Sequence, residues 1–201
     1  DIAAMLRVDA VLWHGLYLEA QLEEFLLDLA QHKRVFAVGE AVPRDRLIAH
    51  TDYANRFDPH IWMDPGLWRS VVLAVRDALS EIDPAGAEAY AAGAERHRAD
   101  VDALNAYAAE RLATVPAERR VLVTAHDAFN YFGRAFDFEV LGIQGTATES
   151  EAGLRRIENL VDTLVTRRIT AVFVESSVSA RNVRALIEGA AARGHTVTIG
   201  G

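Results

Sequence analysis

The feature that most constrains the fold is an alternation of short apolar runs with amphipathic helical segments, found on both sides of a long proline-free stretch. Before that stretch, apolar runs at 8–13 and 34–39 are separated by leucines at helical spacing. After it, four runs rich in Val, Ile and Phe alternate with helical segments. Continuous apolar strands of this kind are typical of parallel sheets covered on both faces. The sequence therefore predicts an α/β protein.

The proline-free stretch itself predicts one long helix. Residues 85–115 contain no proline and are rich in Ala, Glu and Arg, which are strong helix formers. A helix of about 30 residues is long for a globular protein. Because the alternating pattern before it recurs after it, a rigid link between two lobes is favoured over an ordinary surface helix. We therefore expect an N-terminal lobe at 1–84, a linking helix at 85–116 and a C-terminal lobe at 117–201. Each lobe should contain a mainly parallel sheet flanked by helices.

Local patterns predict where several helices begin. Apolar residues at helical spacing predict a helix over 16–33. Asp64 and Pro65 should open a second helix, because proline is tolerated in the first helical turn. Thr148 and Glu151 have the spacing of a capping box at the start of another.

Composition limits the classes of function. The net charge of −8 argues against a surface for nucleic acid and is compatible with a cationic ligand. There is no cysteine, so a metal would have to be held by imidazole and carboxylate groups. No apolar run is long enough to span a bilayer, and no secretion signal is recognisable. Both termini interrupt predicted secondary structure, so we expect further sequence on each side.

His60 and His126 are the strongest candidate metal ligands. His60 lies in "RFDPHIWMDP", between a proline and a β-branched residue, and a packed loop histidine is the alternative. His126 follows a predicted strand, and in open parallel sheets ligands bind beyond the carboxyl ends of the strands. A helix expected to start at His126 should keep its imidazole neutral. Two histidines alone do not make a specific metal site, which needs about four donors.

Glu175 and His14 are weaker candidates, each placed after a predicted strand. Glu175 could present a carboxylate to a cleft, or could accept a hydrogen bond from the following turn or from a neighbouring strand end. His14 could face the same edge of its own sheet. The remaining histidines, His97 among them, are expected to be solvated.

The sequence contains five motifs: "VDAVLWHGLYLE", "DPHIWMDP", "VLVTAHDAFNYFGRAF", "VLGIQGTATESEAG" and "VFVESSVS". Together they resemble the metal-binding receptors of bacterial zinc/manganese ABC importers, the TroA/ZnuA-like family. This family has two α/β lobes bridged by one long helix, with the metal between them. The resemblance implies that His60 and His126 are metal ligands facing one cleft, and that two further ligands lie outside this chain. Position 14, where relatives usually carry Asn, is not a family ligand.

The resemblance implies capture of Zn²⁺ or Mn²⁺ outside the cytoplasmic membrane and delivery of the ion to an ABC permease. It implies a monomer without enzymatic activity, periplasmic or anchored at the cell surface. Two alternatives remain open from the residues themselves. One is a zinc-dependent hydrolase with His60, His126 and Glu175 around a bound water, although no HExxH helix is present. The other is an adhesin-like surface protein of the same fold.

Overall fold

The computed structural model describes residues 2–51, 53–146, 153–175 and 180–200. The chain forms two compact units. Unit 1 consists of Asp1–His50 and Asn55–Glu110, and unit 2 of Thr51–Ala54 and Arg111–Gly201. The assignment of a separate linking segment at 85–116 stays a prediction.

Unit 1 contains a two-stranded parallel sheet in which Val11 lies opposite Val35. The side chains of Leu26 and Leu29 pack against Val11 and Trp13, and all four are buried. This apolar contact holds the second helix on the sheet. The elements concerned are α1 (Ile2–Met5), β1 (Ala10–Trp13), α2 (Glu23–Leu29) and β2 (Arg34–Ala37).

The prediction of a helix over 16–33 is wrong in extent, because α2 covers only Glu23–Leu29. The backbone φ angles of Gly15, Leu16 and Tyr17 are +77°, +53° and +71°, which lie outside the right-handed helical region. This left-handed turn follows β1 directly. Periodicity in the leucines could not reveal it, because the turn depends on backbone conformation rather than on which side chains are apolar.

Two longer helices complete unit 1 up to Glu110, namely α3 (Pro65–Ile82) and α4 (Ala87–Ala113). The predicted start of α3 is confirmed. The Oδ1 atom of Asp64 accepts hydrogen bonds from the N–H groups of Gly66 and Leu67 at 2.8 and 3.3 Å. The contact with Gly66 satisfies an N–H group that a helix start otherwise leaves without a partner, and the N–H of Leu67 also donates to the backbone carbonyl of Asp64 at 3.0 Å.

Unit 2 contains a parallel sheet with the strand order β4-β3-β5-β6. Its strands are β3 (Val121–His126), β4 (Glu139–Gln144), β5 (Ala171–Phe173) and β6 (Thr198–Gly200). Its helices are α5 (Asn130–Phe136), α6 (Leu154–Thr166) and α7 (Ala180–Ala192). The core lies between the sheet and the last two helices and includes the fully buried side chains Val123, Ile143, Val172 and Leu186. The predicted parallel sheet is thus confirmed.

The predicted surroundings of His126 need a correction. His126 is the last residue of β3, and α5 begins only at Asn130, so no helix starts at His126. The expected effect of a helix N-terminus on its imidazole therefore does not apply. The capping box predicted at Thr148 and Glu151 lies outside the described residues. Among the helices that the structure describes, none is long and apolar enough to cross a membrane.

The Asp64 cap should contribute measurably to stability. Asp64→Ala should lower the free energy of unfolding by about 1 kcal/mol, because the N–H of Gly66 loses its acceptor and the N–H of Leu67 loses one of two. The matched control is Asp77→Ala on the same helix, whose exposed carboxylate contacts Arg76. That control should cost less than about 0.5 kcal/mol. Urea denaturation measures both, and equal effects of the two substitutions would contradict the capping role.

Candidate metal centre

His60 is a buried histidine whose ring is held by a neighbouring carboxylate. Its side chain lies in unit 1, directly before a short 3₁₀-helix at Ile61–Met63. The Oδ1 atom of Asp58 is 2.7 Å from Nδ1 of His60 and also accepts a hydrogen bond from the backbone N–H of His60 at 2.9 Å. Because a carboxylate accepts, the ring proton is assigned to Nδ1 and the lone pair to Nε2.

The local sequence Asp-Pro-His explains this arrangement. An Asp side chain that accepts from the N–H two residues later forms an Asx turn, a common way to reverse the chain locally. Pro59 restricts the backbone between the two residues. Asp58 is itself fixed, because its N–H donates to the carbonyl of Ile48 at 2.8 Å and its side chain is fully buried. The carboxylate is therefore part of the core and not a mobile surface group.

His126 in unit 2 has the same kind of partner from a different part of the chain. Its Nδ1 atom lies 2.7 Å from Oε2 of Glu175, and its backbone N–H donates to Oε1 at 3.3 Å. His126 is buried, while Glu175 is partly exposed. This is a contact at ion-pair distance, and the nearby carboxylate favours a ring proton on Nδ1.

The topology of the sheet brings these two residues together. The chain runs from β3 to β4 on one side of β3 and then crosses to β5 on the other side. The direction of the connections therefore reverses between β3 and β5. The carboxyl ends of strands at such a switch point form the usual binding crevice of open α/β sheets. His126 ends β3, and Glu175 follows the end of β5 by two residues. The prediction that both lie at the carboxyl edge of a sheet is confirmed.

Each unit therefore contributes one histidine and one carboxylate that lies 2.7 Å from its Nδ1, as a hydrogen bond at His60 and as an ion-pair contact at His126. A metal-binding histidine usually donates its other ring N–H to a carboxylate or carbonyl, which fixes the ring and its tautomer. Sequence reasoning missed Asp58, although the Asx-turn spacing before His60 could have identified it. It placed Glu175 at the right edge, and the structure supports the alternative in which Glu175 accepts from a neighbouring strand end.

His14 lies close to His60 in unit 1 but contacts the backbone of its loop. Its Nε2 atom donates to the carbonyl oxygen of Pro59 at 2.8 Å. Burial lowers the pKa of His14, and the hydrogen bond to Pro59 and the charge of Glu19 act in the opposite direction. A neutral ring with its proton on Nε2 cannot bind a metal through that nitrogen.

Within neither unit does the described part of the chain bring together three or more His, Asp or Glu residues able to hold a metal ion. Structural zinc sites are closed by four protein ligands, and catalytic zinc sites by three and a water. What each unit presents is a single histidine with a fixed ring, and not a finished coordination sphere.

Comparison with known proteins identifies the family. Residues 1–200 match the family model of ZnuA, the periplasmic component A of the zinc-uptake complex. The chain therefore belongs to the ZnuA family, as the resemblance predicts. This is a family of solute-binding components of metal uptake systems and not of enzymes.

Two curated relatives are similar over the whole chain. The manganese-binding lipoprotein MntA of Bacillus subtilis is 42% identical over 201 residues, and the zinc-binding protein TroA of Treponema pallidum is 39% identical over 201 residues. The chain spans 65% of the length of each. The solved structure of the periplasmic zinc-binding protein TroA from Treponema pallidum is similar to this chain, with a TM-score of 0.96 and 39% identity. The match covers 100% of this chain and 72% of the TroA chain. The predicted TroA-like fold is confirmed.

The hydrogen bonds at the three histidines predict their tautomers. In the metal-free protein, His60 and His126 should carry the ring proton on Nδ1, because that atom faces a carboxylate. His14 should carry it on Nε2, because that atom faces a carbonyl, and it serves as the internal control. Ring ¹⁵N chemical shifts distinguish the two tautomers. An Nε2-protonated ring at His60 or His126 would show that the carboxylate does not set the tautomer.

Proposed function

We propose that this chain is the metal-capturing part of a bacterial uptake protein that binds Zn²⁺ or Mn²⁺ outside the cytoplasmic membrane and delivers it to an ABC permease. One observation carries the proposal: in each unit the Nδ1 atom of a buried histidine lies 2.7 Å from a carboxylate oxygen, which favours the ring tautomer whose Nε2 can bind a metal. Membership of the ZnuA family supports it. The protein acts as a monomer, in the periplasm or anchored at the cell surface.

In this proposal His60 and His126 are metal ligands, and Asp58 and Glu175 orient their rings. The two further ligands that a four-coordinate site needs come from outside this chain, since neither unit gathers three candidate donors within its described residues. Glu175 acts through His126, because both of its carboxylate oxygens face that residue.

Both metals remain part of the proposal. The two curated relatives are named for manganese and for zinc, and their identities to this chain are close, at 42% and 39%. Sites built from imidazole and carboxylate bind zinc more tightly than manganese almost regardless of their biological cargo. Metal availability in the cell, and not affinity alone, therefore decides the cargo.

The receptor is favoured over the two alternatives. A zinc-dependent hydrolase built on His60, His126 and Glu175 would need Glu175 at a bound water, whereas the carboxylate is engaged with His126. The family is one of metal-uptake components, which favours the receptor over both the hydrolase and an adhesin. No step of bond making or breaking is required of a receptor.

Loss of either histidine should weaken metal binding. His60→Ala and His126→Ala should each lower zinc affinity at least roughly tenfold, because a coordinating imidazole is removed. His97→Ala is the control, since His97 is exposed on α4 and should leave affinity unchanged. Competition against a zinc chelator measures all three proteins. Wild-type affinity in His60→Ala would refute the proposed ligand set.

Loss of either orienting carboxylate should also lower zinc affinity, though by less than loss of a ligand. Asp58→Asn and Glu175→Gln keep the size of the side chain but remove its charge. Each should lower zinc affinity roughly tenfold, the low end of the effect of such outer partners. Asp137→Asn is the control, because that carboxylate is exposed and pairs with Arg120. If the control and the two test variants bind zinc alike, the carboxylates do not tune the histidines.

A further inference from the structure

We infer that His14 is a positioning residue for His60, which holds the peptide bond before His60 and so fixes where its imidazole lies. The inference rests on the proposed function only in the role of His60 as a metal ligand. The positioning itself concerns the metal-free protein and can be tested there.

The peptide unit between Pro59 and His60 is held on both sides. Its carbonyl oxygen accepts from Nε2 of His14 at 2.8 Å, and its N–H donates to Oδ1 of Asp58 at 2.9 Å. The same carbonyl also accepts from the N–H of Ile61 at 2.7 Å. A peptide plane that is bonded at both its oxygen and its nitrogen cannot rotate without breaking one of these contacts. The Cα atom of His60, and with it the origin of the imidazole, is fixed by this plane.

The backbone of His14 is itself anchored at the end of β1. Its N–H donates to Oε1 of Glu19 at 2.8 Å, and its carbonyl accepts from the N–H of Gly39 at 2.8 Å. A Cβ atom on Gly39 would lie 2.5 Å from that carbonyl oxygen, so only glycine permits the approach. Gly15 N–H donates to the other oxygen of Glu19 at 3.1 Å. His14 is therefore attached to rigid structure and can transmit that rigidity to the loop.

Two tryptophans fix the ring plane of His14. Trp62 meets it edge-on with a centroid distance of 5.3 Å, and Trp68 of α3 lies nearly parallel to it at 6.5 Å. Trp62 also contacts the His60 ring at 5.1 Å. Aromatic contacts of this geometry are favourable beyond simple burial. They aim Nε2 of His14 at the Pro59 carbonyl and connect the two histidines through one indole.

The lowered pKa of His14 agrees with this role, because a neutral ring with its proton on Nε2 suffices for the hydrogen bond. The role also accounts for a partly buried histidine that is not needed as a ligand. Its ring nitrogen nearest the loop already donates to the main chain.

The test compares His14→Gln with His14→Met. Gln retains an N–H donor at a similar reach, whereas Met has nearly the same length and volume without a donor. In the metal-free protein, His14→Met should speed amide hydrogen exchange at His60 and Ile61 at least roughly tenfold, while His14→Gln stays near the wild type. Exchange at Val72, in the buried interior of α3, should be unchanged in both and excludes a global loss of stability.

The second measurement is zinc affinity by chelator competition. His14→Met should lower it roughly tenfold, as expected for a residue that positions a ligand, and His14→Gln should restore most of the loss. If His14→Met does not fold, His14→Phe replaces it, since Phe retains the ring contacts but has no donor.

Three results would overturn the inference: unchanged exchange at His60 in the donor-free variant, equal defects in both variants, or altered exchange with unaltered zinc affinity. The His60→Ala variant distinguishes a failure of the positioning inference from a failure of the proposed function. If His60→Ala binds zinc like the wild type, the ligand assignment is wrong, whereas the exchange data still decide whether His14 positions the loop.

Discussion

The close contact between a carboxylate and the Nδ1 atom of a buried histidine is the interaction on which the candidate site of each unit depends. A buried imidazole without such a partner could rotate or adopt either tautomer, and its unpaired N–H would cost free energy. Asp58 and Glu175 remove that freedom and leave Nε2 with the lone pair. Each carboxylate also accepts the backbone N–H of the same histidine, so ring and main chain are fixed by one group.

The two units produce this interaction by different means. In unit 1 it is local, because Asp58 and His60 are two residues apart and an Asx turn brings them together. In unit 2 it is long-range, because parallel strands place the ends of β3 and β5 side by side although 49 residues separate His126 from Glu175. The local pair depends on the loop that carries it, and His14 supplies the second support for that loop. The long-range pair depends on the register of the sheet.

Much of the fold was predictable from apolar periodicity. Parallel strands in both units, the start of α3 at Asp64 and Pro65, and a single helix through α4 all follow from patterns within short windows. The true extent of α2 was not predictable, because the left-handed turn after β1 is stabilised by Glu19 and by the close approach of Gly39. The prediction of a helix start at His126 was wrong, because strand β3 continues through that residue.

The sequence by itself determined the α/β class, the family motifs and the identity of His60 and His126 as the residues to examine. Those properties reside in local periodicity and in motif spacing. Only the tertiary structure decided the distant partners: Glu175 for His126 and the Pro59 carbonyl for His14. Hydrogen-bond partners depend on distances of a few tenths of an ångström between groups that can lie 45 residues apart, as His14 and Pro59 do, and no local pattern encodes them.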